Sequence, residues 1–167
     1  MNREPIKIIG DIVKNFMDLT EEQILIYNQD FILPATSGLF IILQDTTSQA
    51  FASNNRFIPA TENVVGAEEN IISLNKEEII INVISKNSEA RLRRAEIAMA
   101  LRTNFSQGQQ EIYQFKITNI TSSLNVSEAE GAGMLNRFAT TVSLFTHYEK
   151  TINTPYYDNF TNNLLVD

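Results

Sequence analysis

The sequence predicts an α+β fold: a mixed, mostly antiparallel sheet with helices packed on one face and a long hairpin or arm. A short Ile/Val run at residues 79–84 has the composition of a strand. Residues 88–104 carry a broad apolar face at helical spacing. Residues 112–120 and 137–149 alternate apolar and polar side chains, as strands covered on one face do, and a turn at 125–133 joins them.

The length of 167 residues indicates one domain with its own core, spanning residues 1–150, followed by an irregular tail at 151–167. No apolar run approaches the ~18 residues that cross a bilayer. The N-terminal stretch lacks the long hydrophobic centre and the cleavage site of a secretory signal. We therefore expect a protein that is neither secreted nor embedded in a membrane.

The N-terminal segment predicts a helix followed by a short strand. Pro5 suits the first helical turn, and one apolar stripe follows it, formed by Ile6, Ile9, Val13, Phe16 and Met17. Thr20 and Gln23 have the spacing of a capping box, but the β-rich residues 24–27 follow at once, so we favour a strand over a helical turn there. The continuous apolar run at 39–43 predicts a strand covered on both faces.

Residues 49–75 predict an extended hairpin or protruding arm. They alternate short apolar patches, including Phe51 and Phe57, with Asn, Ser, Gly, Pro and Glu. A loop of this length is uncommon in a compact domain and is usually functional or mobile. A disordered surface insertion is the alternative.

The helix at 88–104 is expected to bury one wide face on the sheet and to end near Gly108. The predicted buried arc contains Ala90, Ile97, Ala98, Leu101 and Phe105, with Leu92, Ala95 and Met99 at its margin. Arg91, Arg93 and Arg94 are the densest basic cluster in the chain. They indicate either a solvated helix flank paired with Glu89 and Glu96 or a contact to another subunit or to DNA.

We predict no catalytic, cofactor-binding or metal-binding site. The chain has no cysteine, which excludes disulfides and thiolate metal sites. His147 is the single histidine, so one chain cannot build a His pair, and the sequence contains no Gly-x-Ser-x-Gly nucleophile elbow. A formal charge of −7 argues against a dedicated nucleic-acid binder, which usually carries a basic face.

Three stretches together resemble one family. They are residues 26–29 leading to 38–42; residues 88–101; and residues 126–128 continuing through 135–139 to 147–150. These stretches are similar to the tail (neck) terminator and head–tail joining proteins of tailed bacteriophages. The resemblance covers nearly the whole chain and is weakest across 49–75 and the C-terminal tail.

The resemblance implies a structural virion protein that forms a ring, commonly six-fold, at the head–tail junction. Such a ring terminates the tail tube, contacts the tube protein and the head-completion or connector protein, and lets DNA pass through its lumen. It would be assembled in the cytoplasm of a bacterial host. Six copies at −7 would carry roughly −40, so the lumen would offer DNA few cations to displace its counterions.

The candidate subunit-interface residues are Arg91, Arg93, Arg94, Phe51, Phe57, Tyr156, Tyr157 and Phe160. The last three lie in the Asn-rich tail, which we expect to cover the surface or a neighbouring subunit. The alternative function is a non-enzymatic α+β binding or adaptor module that uses 49–75 as its recognition loop. The oligomeric state in solution separates the two.

Overall fold

The computed structural model describes residues 4–27, 38–58, 67–130 and 133–154. Helix α1 (Pro5–Met17), a 3₁₀ turn (Glu21–Gln23) and strand β1 (Ile24–Ile26) come first. Strands β2 (Phe40–Ile58) and β3 (Ala67–Ser85) lead to helices α2 (Glu89–Arg93), α3 (Glu96–Leu101) and α4 (Asn104–Ile112). Strands β4 (Phe115–Ile120), β5 (Leu124–Asn125), β6 (Glu128–Glu130) and β7 (Gly133–Thr154) follow. None of the helices within these ranges is long and apolar enough to span a bilayer.

The strands join in the order β1-β2-β3-β7-β4, and β5 and β6 also pair with β7. β1 runs parallel to β2, whereas every other neighbouring pair is antiparallel. The predicted α+β fold with a mixed, mostly antiparallel sheet is therefore confirmed.

The N-terminal elements follow the sequence pattern closely. The side-chain Oε1 of Gln23 accepts from the Thr20 N–H at 3.0 Å, which completes the predicted capping box. The chain then enters β1, so the strand is confirmed. Phe16 departs from the predicted stripe, because it is exposed while the rest of the stripe is buried.

One face of the sheet packs against the helices and forms the core. The core gathers buried residues of α1, α3 and the central strands, among them Ile9, Val13, Leu43, Ile81, Ile97 and Leu144. All five residues of the 39–43 run are buried, as predicted for a strand covered on both faces. A Cβ on Gly10 would lie 3.3 Å from Cγ2 of Ile24 and 3.6 Å from Cδ1 of Leu43. This close approach of α1 to the sheet explains a glycine that costs the helix about 1 kcal/mol.

The single helix predicted at 88–104 is wrong, since the segment divides into α2, α3 and the start of α4. Backbone angles at Arg94 stay helical, so the first break is slight. At Thr103 the backbone is extended, with ψ of 157°, and the Thr103 hydroxyl accepts from the Ser106 N–H to cap α4. A capping threonine inside an apolar pattern therefore starts a new helix instead of continuing the old one.

Three further boundaries differ from the predictions. Gly108 lies inside α4 with open space around its Cα, so it does not end a helix. Because α4 extends to Ile112, strand β4 begins at Phe115 and not at 112. The segment predicted as a turn at 125–133 includes the last residue of the short strand β5 and the whole of β6, and both strands pair with β7.

The predicted long hairpin is confirmed by β2 and β3, each of 19 residues. β7 lies along the whole of β3, from Asn136 opposite Ser85 to Thr154 opposite Ala67. The irregular tail predicted from residue 151 is thus wrong at its start, because 151–154 continue β7. Pairing with β3 explains this extension, because each of residues 151–154 has a cross-strand partner on β3. The rest of the predicted tail lies outside the described residues.

Candidate functional site

The candidate site is the arm, defined here as residues 46–58 of β2, 67–76 of β3 and 147–154 of β7. The pairing of β1 with β2 extends no further than Leu43, and the pairing of β4 with β7 extends no further than Thr146. Beyond these two residues β2, β3 and β7 continue without β1 or β4 beside them. Every residue of β2 from 45 to 57 is exposed. The arm is therefore a three-stranded extension of a five-strand body.

Apolar side chains lie exposed along the arm and at its base. Phe51 is 54% exposed and Phe57 is 56% exposed, with Leu74 exposed on the middle strand. The Phe51 ring lies 4.9 Å from that of Phe145, measured between centroids. The two predicted interface residues of this segment, Phe51 and Phe57, are thus on the arm surface, and the register adds Leu74 and Phe145 to them.

The hydrogen bonds of the body show which way the backbone groups of β2 point. The N–H of Tyr27 donates to the Leu43 carbonyl at 2.8 Å, so the backbone N–H and C=O groups of Leu43 point away from β3. A residue's N–H and C=O point to the same side of a strand, and successive residues alternate. Ile81 is the partner of Leu43, so its backbone groups point toward β7. The backbone groups of the even-numbered residues of β3 therefore point toward β2.

The same alternation identifies the outward-facing backbone of the arm. Ala52, Asn54 and Arg56 oppose even-numbered β3 residues, so their backbone groups bond to β3. The N–H and C=O groups of Ser53, Asn55 and Phe57 therefore point away from β3, beyond the edge of the sheet. No register shift interrupts β3 and β7. On β7 the outward-facing residues are therefore odd-numbered: His147, Glu149, Thr151 and Asn153. Thr141 agrees, since its carbonyl accepts from the Thr121 N–H at 2.9 Å on that side.

The edges of the body are short, and that of β4 is partly covered, in contrast to those of the arm. On β4 the outward N–H of Ile117 donates to the Gln110 side chain of α4 at 2.8 Å. β1, at the other edge, has only three residues. Short edges and covered edges are devices that prevent unwanted strand pairing. Within the described residues, the outward groups of the arm have no backbone partner.

The three predicted arginines have different surroundings. Arg93 donates to the Glu96 carboxylate and, at 2.6 Å, to the Met17 carbonyl at the end of α1. The Arg94 guanidinium lies 4.7 Å from the ring centroid of Phe138, a core residue. Arg91 is exposed. Two of the three arginines thus make contacts within the chain.

We expect Arg93→Ala to lower the free energy of unfolding by about 1–2 kcal/mol, because it removes a charge-assisted bond to a helix carbonyl together with a partly exposed ion pair. Arg91→Ala is the matched control and should change stability by less than about 0.5 kcal/mol. Urea denaturation of both variants measures the difference. Equal losses in the two variants would contradict a structural role specific to Arg93.

A second apolar surface lies on the outer side of the helices. Leu92 is 76% exposed and Ile112 is 68% exposed, with Met99 and Phe105 also exposed. The prediction that Phe105 is buried and that Leu92 and Met99 border the buried arc is wrong. The break at Thr103 changes the direction of the chain, so a helical wheel drawn through 88–104 misplaces Phe105. Leu92 and Met99 precede that break and are exposed on α2 and α3 themselves.

A buried carboxylate, which the sequence analysis did not identify, lies where β3 passes from the body into the arm. Glu77 is 5% exposed, and its Oε1 accepts from the Thr146 hydroxyl at 2.8 Å and from the Tyr148 hydroxyl at 2.7 Å. Tyr148 is 40% exposed, and partial desolvation of its hydroxyl, assisted by the hydrogen bond to Glu77, raises the pKa of Tyr148 to about 12. The Asp45 side chain is exposed overall, but partial desolvation of its carboxyl group raises its pKa, and the negative charges of Glu77 and Glu4 add to this effect. This cluster depends on the register that places Glu77 beside β7, and the sequence alone does not contain that register.

Of the cavities in the described structure, one lies beside Glu77 and one between α4 and β4. The cavity at Glu77 has a volume of about 350 Å³ and is lined by Asp45 and Tyr148. A larger one, about 660 Å³, lies between α4 and β4; its lining contains neither His nor Cys, and its Thr118 hydroxyl donates to a backbone carbonyl. Among the described residues, no group of three or more His, Cys, Asp or Glu side chains is arranged to hold a metal ion.

Comparison of the chain with protein-family models and with curated proteins gives no match. Of the predicted interface residues, the structure places Phe51 and Phe57 on the arm and the arginines on the helices. Tyr156, Tyr157 and Phe160 lie outside the described residues.

Proposed function

We propose that this chain is a non-enzymatic structural subunit that assembles with copies of itself into a ring, of the kind that terminates the tail tube at the head–tail junction of a tailed bacteriophage. The observation that supports self-assembly most directly is the arm, whose two long outer edges are unpaired in the described chain. The head–tail assignment itself rests on the resemblance of the three sequence stretches.

The surface of the arm supports association with another protein. Exposed aromatic side chains such as Phe51 and Phe57, together with free strand edges, are typical of a surface that binds another protein. Contact with a neighbouring copy would remove both from water. Contacts between unlike surfaces of identical subunits close into a ring when the rotation between copies closes.

The partners follow from the same proposal. One side of the ring would contact the tail tube protein and the other the head-completion or connector protein, with DNA passing through the lumen. The charge of −7 on each copy supports passage without retention, because DNA binding depends on Lys and Arg displacing condensed counterions. The ring would be assembled in the bacterial cytoplasm and would remain in the virion.

Light scattering of the purified chain across a concentration series tests the assembly. We expect a species close to six times the chain mass of 18.9 kDa, and rings with a central opening in negative-stain electron microscopy. The rings should release duplex DNA at physiological salt. A monomer at every concentration contradicts the ring and favours the adaptor module that binds other proteins through the arm.

A further inference from the structure

We propose that the outer edge of β2 in one copy pairs with the outer edge of β7 in the next, so that the arms form one continuous sheet around the ring. This inference rests on the proposed ring and adds the contact that would hold it together. The partner is a second copy of this chain, and the recognition is by backbone hydrogen bonds.

The two edges present matching sets of free groups. Ser53, Asn55 and Phe57 direct their N–H and C=O groups outward on β2, and the odd-numbered residues 147–153 do so on β7. Residues 46–55 contain neither a charge nor a proline, and such residues are the usual means of blocking an edge. Register shifts interrupt the β2–β3 ladder between Asp45 and Thr47 and between Ala50 and Ala52, so the regular open edge of β2 is the stretch beyond the second shift, residues 52–57.

The side chains that flank the two edges are complementary. Phe57 and Ile152 both oppose Glu69, so they lie at one level and on one face of the sheet. On the other face, β2 carries Arg56, and β7 carries Glu149 two residues away from the position level with Arg56. When β2 of one copy lies beside β7 of the next, a diagonal contact between these two side chains is within reach. Arg56 makes no ion pair within the described residues. Pairing between copies would bring Phe57 against Ile152 and Arg56 toward Glu149.

The topology also determines the direction of the pairing. β2 and β7 are both antiparallel to β3, so they run parallel to each other within one chain. A head-to-tail repeat about an axis keeps that direction, so β2 would meet the next β7 as a parallel pair. Pairing β2 with β2 would leave both β7 edges open, whereas the head-to-tail repeat closes every edge.

Proline substitutions at the two edges test the pairing. Ser53→Pro removes an outward N–H of β2, and Thr151→Pro removes one of β7; neither N–H belongs to a ladder within the chain. We expect each variant alone to have the mass of a single chain, roughly a sixfold fall if the wild-type ring has six copies. Circular dichroism should show an unchanged fold. Ser53→Ala and Thr151→Ala keep the N–H groups and should assemble as the wild type does.

An equimolar mixture of the two proline variants is the decisive arm of the experiment. Ser53→Pro retains an intact β7 edge and Thr151→Pro an intact β2 edge, so the mixture should form a dimer with one chain of each. Assembly of Thr151→Pro alone as a dimer would overturn the head-to-tail pairing in favour of β2 with β2. Full-size assemblies from either variant would overturn edge pairing while leaving the ring itself in place.

A cysteine pair tests the same contact without proline. Phe57 and Ile152 of one chain are separated by β3, so their Cα atoms lie about 10 Å apart, too far for a disulfide. In this cysteine-free chain, oxidation of Phe57→Cys/Ile152→Cys must therefore link different copies. We expect a ladder of covalent multimers ending at the ring size, and no ladder from either single variant. An assembled double variant that forms no cross-links would overturn the proposal.

Discussion

Ile81→Ala is expected to lower the free energy of unfolding by about 3–4 kcal/mol. Ile81 is 0% exposed and lies at the middle of the sheet, between Leu43 of β2 and Thr140 of β7. Truncation removes buried methyl groups and leaves a cavity that surrounding strands cannot close, because each is fixed by two ladders. Urea denaturation followed by circular dichroism measures the loss.

Ile80→Ala is the matched control for this core substitution. Ile80 points to the opposite face of the sheet and is half-buried, so its truncation should cost about 1–2 kcal/mol. The comparison tests the assignment of the main core to the helix-covered face. A loss at Ile80 as large as that at Ile81 would contradict this assignment.

Glu77→Ala is expected to lower the free energy of unfolding by about 2 kcal/mol, because the hydroxyls of Thr146 and Tyr148 lose their acceptor. Thr146 is itself buried, so water cannot readily replace the lost bond. Glu77→Gln keeps a carbonyl oxygen at the same place and should cost less than about 1 kcal/mol. Thermal and urea denaturation of both variants measure the difference, and equal losses would contradict the role of the acceptor.

The same cluster predicts a pH dependence. The folded protein holds the Tyr148 proton to about pH 12, whereas an unperturbed tyrosine loses it near 10.0. The stability contributed by this group is therefore fully present below pH 10 and is lost as the pH rises toward 12. In Glu77→Gln the pKa of Tyr148 should fall toward its ordinary value. An absorbance titration of tyrosinate checks this, and Tyr148→Phe identifies the step that belongs to Tyr148.

The sequence predicted the fold class and the long hairpin because their signals are local. Alternation at 137–149 and the apolar run at 39–43 indicate strands without knowledge of their neighbours. The division of the helix at Thr103 was missed, since an apolar pattern continues across it and a capping residue overrides the pattern.

The surface of the arm was only partly predictable. Phe51 and Phe57 stand out in a polar stretch, which is a local signal. Phe145 and Glu77 acquire their surroundings through pairing between strands some 70 residues apart, and single-sequence periodicity does not contain that register. The free edges depend on where β1 and β4 end, which is a property of the whole sheet.

The uninterrupted ladder between β3 and β7 has a mechanical consequence. Nineteen consecutive residue pairs run from Ala67, the outermost described residue of β3 in the arm, to Ser85 at the far end of the core, a span of about 60 Å without a register shift. A load applied along the arm would act in shear on many hydrogen bonds at once, and no loop in that path could bend to relieve it. A force applied to the outer end of the described arm would thus move the arm as one stiff body and be transmitted to the packed helices.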